Sequence, residues 1–300
     1  MITKLDDMFE ALRSRKSKRL VAAYANDSHT IGAVSQAVDL GLVDATLVGD
    51  KDTIAAVCSK EGIDPSKFEI VHEPDEMAAA NKAVALINDG KGNLLMKGLV
   101  STDKYMRAIL NKEKGLMPPK AVLSHVTVME NPNYHKLLIF GDVAIIPLPE
   151  LKEKIAITNY LVATAKALGI EKPKVAVLAA TEQVSPKMQA CVDAALIAKM
   201  ADRGQIPGAY VDGPLALDVA IDKESAEIKK LGGHVAGDAD CLVFPNIESG
   251  NVFYKANTKL AKSELGAMVV GAKVPAVLSS RGDTIKTKLY SIALAALSAK

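Results

Sequence analysis

RLVAAYANDSHTIGAVSQAVDLGLVDATLVG, residues 19–49, carries the reading of the fold in one stretch. Residues 19–25 form a short apolar run, 28–41 repeat apolar side chains at helical spacing, and 45–49 return to an apolar run. Strand, helix and strand joined by short polar links predict a βαβ unit of a parallel sheet. The rhythm continues outward with a helix over 53–62, a strand over 68–72, a helix over 77–88, a strand over 93–96 and a helix over 102–110. This repetition predicts an α/β fold, doubly wound, with helices on both faces of the sheet.

The middle of the chain departs from that rhythm. Residues 122–129 and 136–140 read as two strands joined by Glu130-Asn131-Pro132-Asn133-Tyr134, an antiparallel hairpin. Gly141-Asp142 and Pro147-Leu148-Pro149 then punctuate the chain, which places the first domain over 1–148 and the second over 149–278, with 279–300 returning to the first. Within the second domain, a helix over 151–168 precedes a strand over 174–179. A helix over 186–203 follows, with Met188, Val192, Leu196 and Met200 as its apolar stripe. Strands over 208–211, 241–244, 267–270 and 276–278 complete a second sheet or rejoin the first. The last helix, 284–298, sets Ile285, Leu289, Ile292, Ala293 and Ala296 at helical spacing.

Composition narrows the class. The 300 residues are 49% hydrophobic and 24% charged, enough for a large core and too apolar for disorder. Trp is absent and aromatics are 4%, so Ala, Val, Leu, Ile and Met must fill the interior, as helices packed on a parallel sheet do. The formal charge of +2 offers no basic face for nucleic acid. No apolar run is long enough for a membrane span and no signal-peptide pattern opens the chain, so a cytoplasmic protein without membrane partners is expected. Cys58, Cys191 and Cys241 lack metal-ligand or disulfide spacing and read as free buried thiols. The five histidines lack ligand spacing too, so no metal site is expected.

Open α/β sheets bind ligands beyond the carboxyl ends of their strands, where helix N-termini favour phosphate. Three junctions carry suitable side chains. In the first, Lys97, Gly98, Ser101 and Thr102 follow a strand, and Arg107 can fold back toward them; the same hydroxyls also make ordinary helix caps. In the second, Asn246, Glu248, Gly250 and Asn251 follow the strand at 241–244, a ligand loop or a polar loop with a cap. In the third, Ser280 and Arg281 follow the strand at 276–278, with Asp283 or Thr284 capping the last helix. Arg281 suits bidentate contact with phosphate and equally a pair with a surface carboxylate. Ser124 and His125, in the strand at the presumed hinge, are further candidates, His125 reading first as a satisfied strand residue. The chain contains no G-x-S-x-G elbow, P-loop or G-x-G-x-x-G fingerprint.

Taken together, the junctions resemble the phosphate acetyl/butyryltransferase family. Residues 238–251 (DADCLVFPNIESGN), 274–282 (VPAVLSSRG) and 97–102 (KGLVST) with Arg107 match its three motifs in order and spacing. The resemblance implies two α/β domains like those of isocitrate and isopropylmalate dehydrogenases, an interdomain cleft, and a homodimer or higher oligomer. It implies an enzyme that interconverts acyl-CoA plus phosphate with acyl phosphate plus CoA. Coenzyme A is then a substrate, and no resident cofactor is expected. Ser280 and Arg281 match the family's reactive pair, the hydroxyl steadying the CoA sulfur or tetrahedral intermediate and the guanidinium neutralising phosphate and oxyanion charge. Arg107 matches an arginine on the phosphoryl group or CoA. Acetyl-specific members carry an acid six positions after the reactive arginine; here Thr287 stands there, and Asp283 is the nearest carboxylate. That departure resembles the butyryl branch, with acetyl transfer, a decarboxylating dehydrogenase and a non-catalytic CoA- or phosphate-binding protein as alternatives.

Overall fold

A computed structural model describes residues 1–278 and 283–300. In chain order, its first elements are α1 (Asp7–Arg13), β1 (Lys18–Ala23), α2 (Ser28–Asp39), β2 (Val43–Gly49), α3 (Lys51–Glu61), β3 (Phe68–His72), α4 (Glu76–Asn88), β4 (Leu94–Lys97) and α5 (Thr102–Leu110). There follow β5 (Ser124–Glu130), β6 (Leu138–Gly141), α6 (Leu151–Ala167), β7 (Lys174–Leu178), α7 (Gln189–Asp202), β8 (Tyr210–Leu215), α8 (Leu217–Ile221), α9 (Lys223–Ile228), β9 (Cys241–Val243) and α10 (Ile247–Lys259). The chain ends with β10 (Glu264–Val270), β11 (Ala276–Val277) and α11 (Ile285–Ser298).

The chain divides into two compact units, one of Leu5–Leu123 with Leu265–Lys300 and the other of Met1–Lys4 with Ser124–Glu264. In the first, the strand order is β3-β2-β1-β4-β11-β10. Neighbours from β3 to β11 run parallel, and β10 is antiparallel to β11. Strands such as β1 are buried over most of their length, which is why they read as unbroken apolar runs rather than alternating ones. Each helix starts on a side chain fitted to cap it. Asp27, Asp50 and Asp75 accept the N–H groups of Thr30, Thr53 and Ala78 at the starts of α2, α3 and α4. After β1 the chain moves outward to β2 and β3, then returns across β1 to β4. The topological switch therefore lies between β1 and β4, the place where open sheets of this kind take their ligands.

In the second unit the strand order is β5-β6-β9-β7-β8. β5 and β6 form the expected antiparallel hairpin, while β6, β9, β7 and β8 run parallel.

The units part at positions other than those expected from the Pro and Gly punctuation, 148/149 and 278/279. The hairpin joins the second unit because Ile139, Phe140 and Gly141 of β6 pair with Cys241, Leu242 and Val243 of β9. Residues 265–278 join the first because Ala276 and Val277 of β11 pair with Leu95 and Met96 of β4. The stripe on α7 also differs. Met188 and Leu196 are 37% and 46% exposed, and Cys191, Ala194 and Ile197 face inward instead. A Cβ on Gly213 of β8 would lie 3.0 Å from the Ala194 methyl, so helix and strand approach too closely there for a leucine or methionine.

Candidate functional site

Lys97 ends β4 at the switch point, its Nζ donating to the carbonyls of Gly98 (3.1 Å) and Val100 (2.8 Å). Gly98 does permit a close backbone approach, and the partner is the chain itself. A Cβ there would stand 2.4 Å from the Tyr24 carbonyl oxygen, and the N–H groups of Gly98 and Leu99 donate to Ala23 and Tyr24. Ser101 caps α5, accepting the Lys104 N–H, and Thr102 is exposed in the first turn. Arg107 is 72% exposed in its side chain and pairs with Asp103 at 3.0 Å, so it is not folded back toward Lys97. Glu76, unsuspected from sequence, fixes this loop. It accepts the Ser101 N–H at 2.7 Å and pairs with Lys104. Lys104 first, then the Ser101 amide, hold its carboxyl below the usual carboxylate range.

The second group lies at the carboxyl ends of β6 and β9. Asn246 caps α10 by accepting the Ser249 N–H. Gly250 is buried against Asp142, whose carbonyl oxygen would lie 2.5 Å from an added Cβ. Asn251 donates to the Val143 carbonyl at 3.1 Å, and Glu248 is exposed. Ser124 and His125 begin β5 at the same edge. Ser124 Oγ donates to Asp142 Oδ2 at 2.8 Å, and the His125 N–H donates to the same oxygen at 3.1 Å. His125 is 7% exposed, with its ring 3.5 Å from Thr127 Oγ1, as a satisfied strand residue would be. Asp142 also accepts the N–H groups of Ala144 and Ile145, so one carboxylate, 2% exposed, ties β5 to the loop after β6. Sequence reading treats it only as punctuation.

At the other end of β9, Asp238 and Asp240 serve the sheet. Lys136 bridges both at 2.8 and 2.7 Å, and Lys174 and His135 also pair with Asp238. Burial pushes the Asp238 carboxyl up, but Lys136, Lys174 and His135 outweigh it and hold it well below the usual range. The 238–251 motif thus has structural acids before the strand and polar loop residues after it.

Ser280 and Arg281 lie outside the described residues. Past them, Thr284 rather than Asp283 caps α11, accepting the Thr287 N–H at 3.1 Å. Asp283 is half-buried and is spared that duty. Among the described residues, no group of three or more His, Cys, Asp or Glu is placed to hold a metal, and no helix is long and apolar enough to cross a membrane. The three thiols are free and buried.

Comparison with solved structures defines the class. The chain superposes on a branched-chain phosphotransacylase from Enterococcus faecalis V583 with a TM-score of 0.81, at 30% identity over 94% of this chain and 98% of that one. It has the dehydrogenase-like α/β fold of the phosphotransacylases. The sequence profile described as "Phosphate acetyl/butaryl transferase" matches residues 75–296, and the chain belongs to that family of transferases. It is 48% identical over 297 residues to the phosphate butyryltransferase of Clostridium acetobutylicum, covering 99% of this chain and 98% of that protein. It is 39% identical over 295 residues to the phosphate acetyltransferase of Rhizobium meliloti, covering 98% of this chain and 93% of that protein.

Proposed function

We propose that this protein catalyses acyl-CoA + phosphate ⇌ acyl phosphate + CoA, with a short-chain acyl group of which butyryl is preferred. The observation that carries the reading is near-full-length identity of 48% to a phosphate butyryltransferase, against 39% to a phosphate acetyltransferase. In the direction of acyl-CoA synthesis, the CoA thiolate attacks the acyl carbonyl and a tetrahedral intermediate forms. Its collapse releases phosphate, and the thiol proton passes to a base. Arg281 neutralises charge on phosphate and oxyanion, Ser280 donates to the sulfur or the oxyanion, and Asp283 is the base. Lys97, Ser101, Thr102 and Arg107 supply cations and hydroxyls at one set of strand ends. Asn246, Glu248, Gly250 and Asn251 supply polar groups at the other, with Ser124 and His125 behind them. Much of the rate comes from holding thiolate and acyl phosphate in line, since attack is direct.

The assay follows thiol release from acetyl-, propionyl-, butyryl- and isobutyryl-CoA in the presence of phosphate. A kcat/KM highest for butyryl-CoA is the expected outcome. Highest values for acetyl-CoA overturn the preference, and tight CoA binding without turnover of any substrate makes the protein a binding protein. The same reading places it in the cytoplasm as a homodimer or higher oligomer, which sedimentation at micromolar concentration checks. No resident cofactor is required, because coenzyme A is consumed and regenerated as a substrate.

A further inference from the structure

Two lysines in this chain are more than nine-tenths buried, and their surroundings differ. Lys154, 3% exposed, meets Asp193 at 2.6 Å, the arrangement expected where an ammonium leaves water. Lys288 is 5% exposed, yet no hydrogen bond or ion pair joins its ammonium to any described residue. Burying a cation without a counter-charge disfavours the folded protein, so an anion that arrives from solution is the natural complement.

Its place in the fold indicates which anion. Lys288 sits in the first turn of α11, on the stripe continued inward by the fully buried Ile292 and Ala295. α11 packs on β4 and β11 and follows β11 in the chain, so its first turn lies at the carboxyl edge of that parallel pair. Lys97 ends β4 at the same edge, beside the switch between β1 and β4. A parallel-sheet edge at a switch point, a helix start and a buried ammonium together favour a small, multiply charged oxyanion. The adenosine part of CoA is too bulky to follow its phosphates to a side chain this enclosed, whereas inorganic phosphate and the phosphoryl end of an acyl phosphate are not.

We propose that Lys288 is a substrate-binding residue whose ammonium holds the phosphate used or released in the reaction; the identity of that anion rests on the acyl-transfer reading above.

The test separates the two claims. Thermal unfolding is followed in the full chain with increasing inorganic phosphate and no acyl-CoA, at constant ionic strength, for wild type, Lys288→Met, Lys288→Gln and Lys288→Arg. Phosphate is expected to raise the wild-type midpoint saturably and to leave the Met and Gln variants unmoved, with Arg retaining part of the response. Without phosphate, the Met variant is expected to melt at or above the wild-type temperature, because it removes an uncompensated charge. In the forward assay, Met and Gln are expected to raise the KM for phosphate by at least about 30-fold, with the KM for butyryl-CoA within about threefold. A phosphate response intact in both variants overturns the proposal, as does an equal rise in both KM values. If phosphate stabilises the wild type through Lys288 but no acyl-CoA is turned over, the anion site stands and the acyl-transfer reading falls.

Discussion

Asp283 gains interest from a neighbour. Because Thr284 caps α11, the half-buried carboxylate two positions after Arg281 has no capping role, and Asp283→Asn is expected to flatten the basic limb of the pH profile of kcat/KM. An unchanged profile removes it as the base. Arg281→Ala is expected to lower turnover at least about 100-fold while the Kd for CoA stays within about threefold; equal losses would make Arg281 a binding residue only. At Glu76 the prediction concerns stability. Its carboxyl titrates below the ordinary 4.5 in the folded protein, so its contribution is complete above the unfolded value and is lost as pH falls through the folded one. Urea midpoints of wild type and Glu76→Gln should therefore differ at pH 6 and converge between about pH 4 and 3. A constant gap would show that Glu76 acts without its charge. None of this was legible locally. Glu76 lies 25 residues from Ser101, and Asp142 beside Gly141 looks like a turn until four donors converge on it. Lys288, next to Thr287 and Lys286, reads as a charged surface until α1 and α2 close over the helix.

Helices and strands were legible where local chemistry decides them. The first four βα repeats could be placed within two residues because their strands are continuous apolar runs and a capping side chain precedes each helix. The antiparallel hairpin was legible from its turn-rich link. What could not be read was the partner each strand would choose. β6 and β11 look alike as short apolar runs, and only β9 and β4, about 100 and 180 residues distant, decide which sheet each joins. The orientation of α7 was hidden for a related reason, since Gly213 on another strand selects Ala194 over Leu196. The turn of α7 that results also buries Asp193 against Lys154 of α6. Asp193→Ala is expected to cost about 3–5 kcal/mol in urea denaturation, because Lys154 stays buried without its partner, and Asp193→Ala with Lys154→Met should recover most of that loss. A single-variant loss below about 1 kcal/mol would mean the ammonium escapes to water.

Seen whole, the chain passes between its two units near residues 4, 123 and 264. The first crossing is anchored: the Ile2 N–H donates to the Leu168 carbonyl at 2.8 Å, and Gly169 lies against Met1. Removing residues 1–4 is expected to lower protection from hydrogen exchange around 165–170 while leaving β1 and β4 unchanged; a loss spread evenly over both units would contradict this. The later crossings bear on synthesis. β11 seats beside β4, and α11, almost wholly buried, covers that sheet, so the unit begun by residue 5 lacks part of its core until residue 297 has been made. The unit of 124–264 has all its strands earlier. During translation, the half of the protein that emerges second can therefore be the first to fold, and the ribosome must release the C-terminus before the edge that carries Lys97 and Lys288 exists at all.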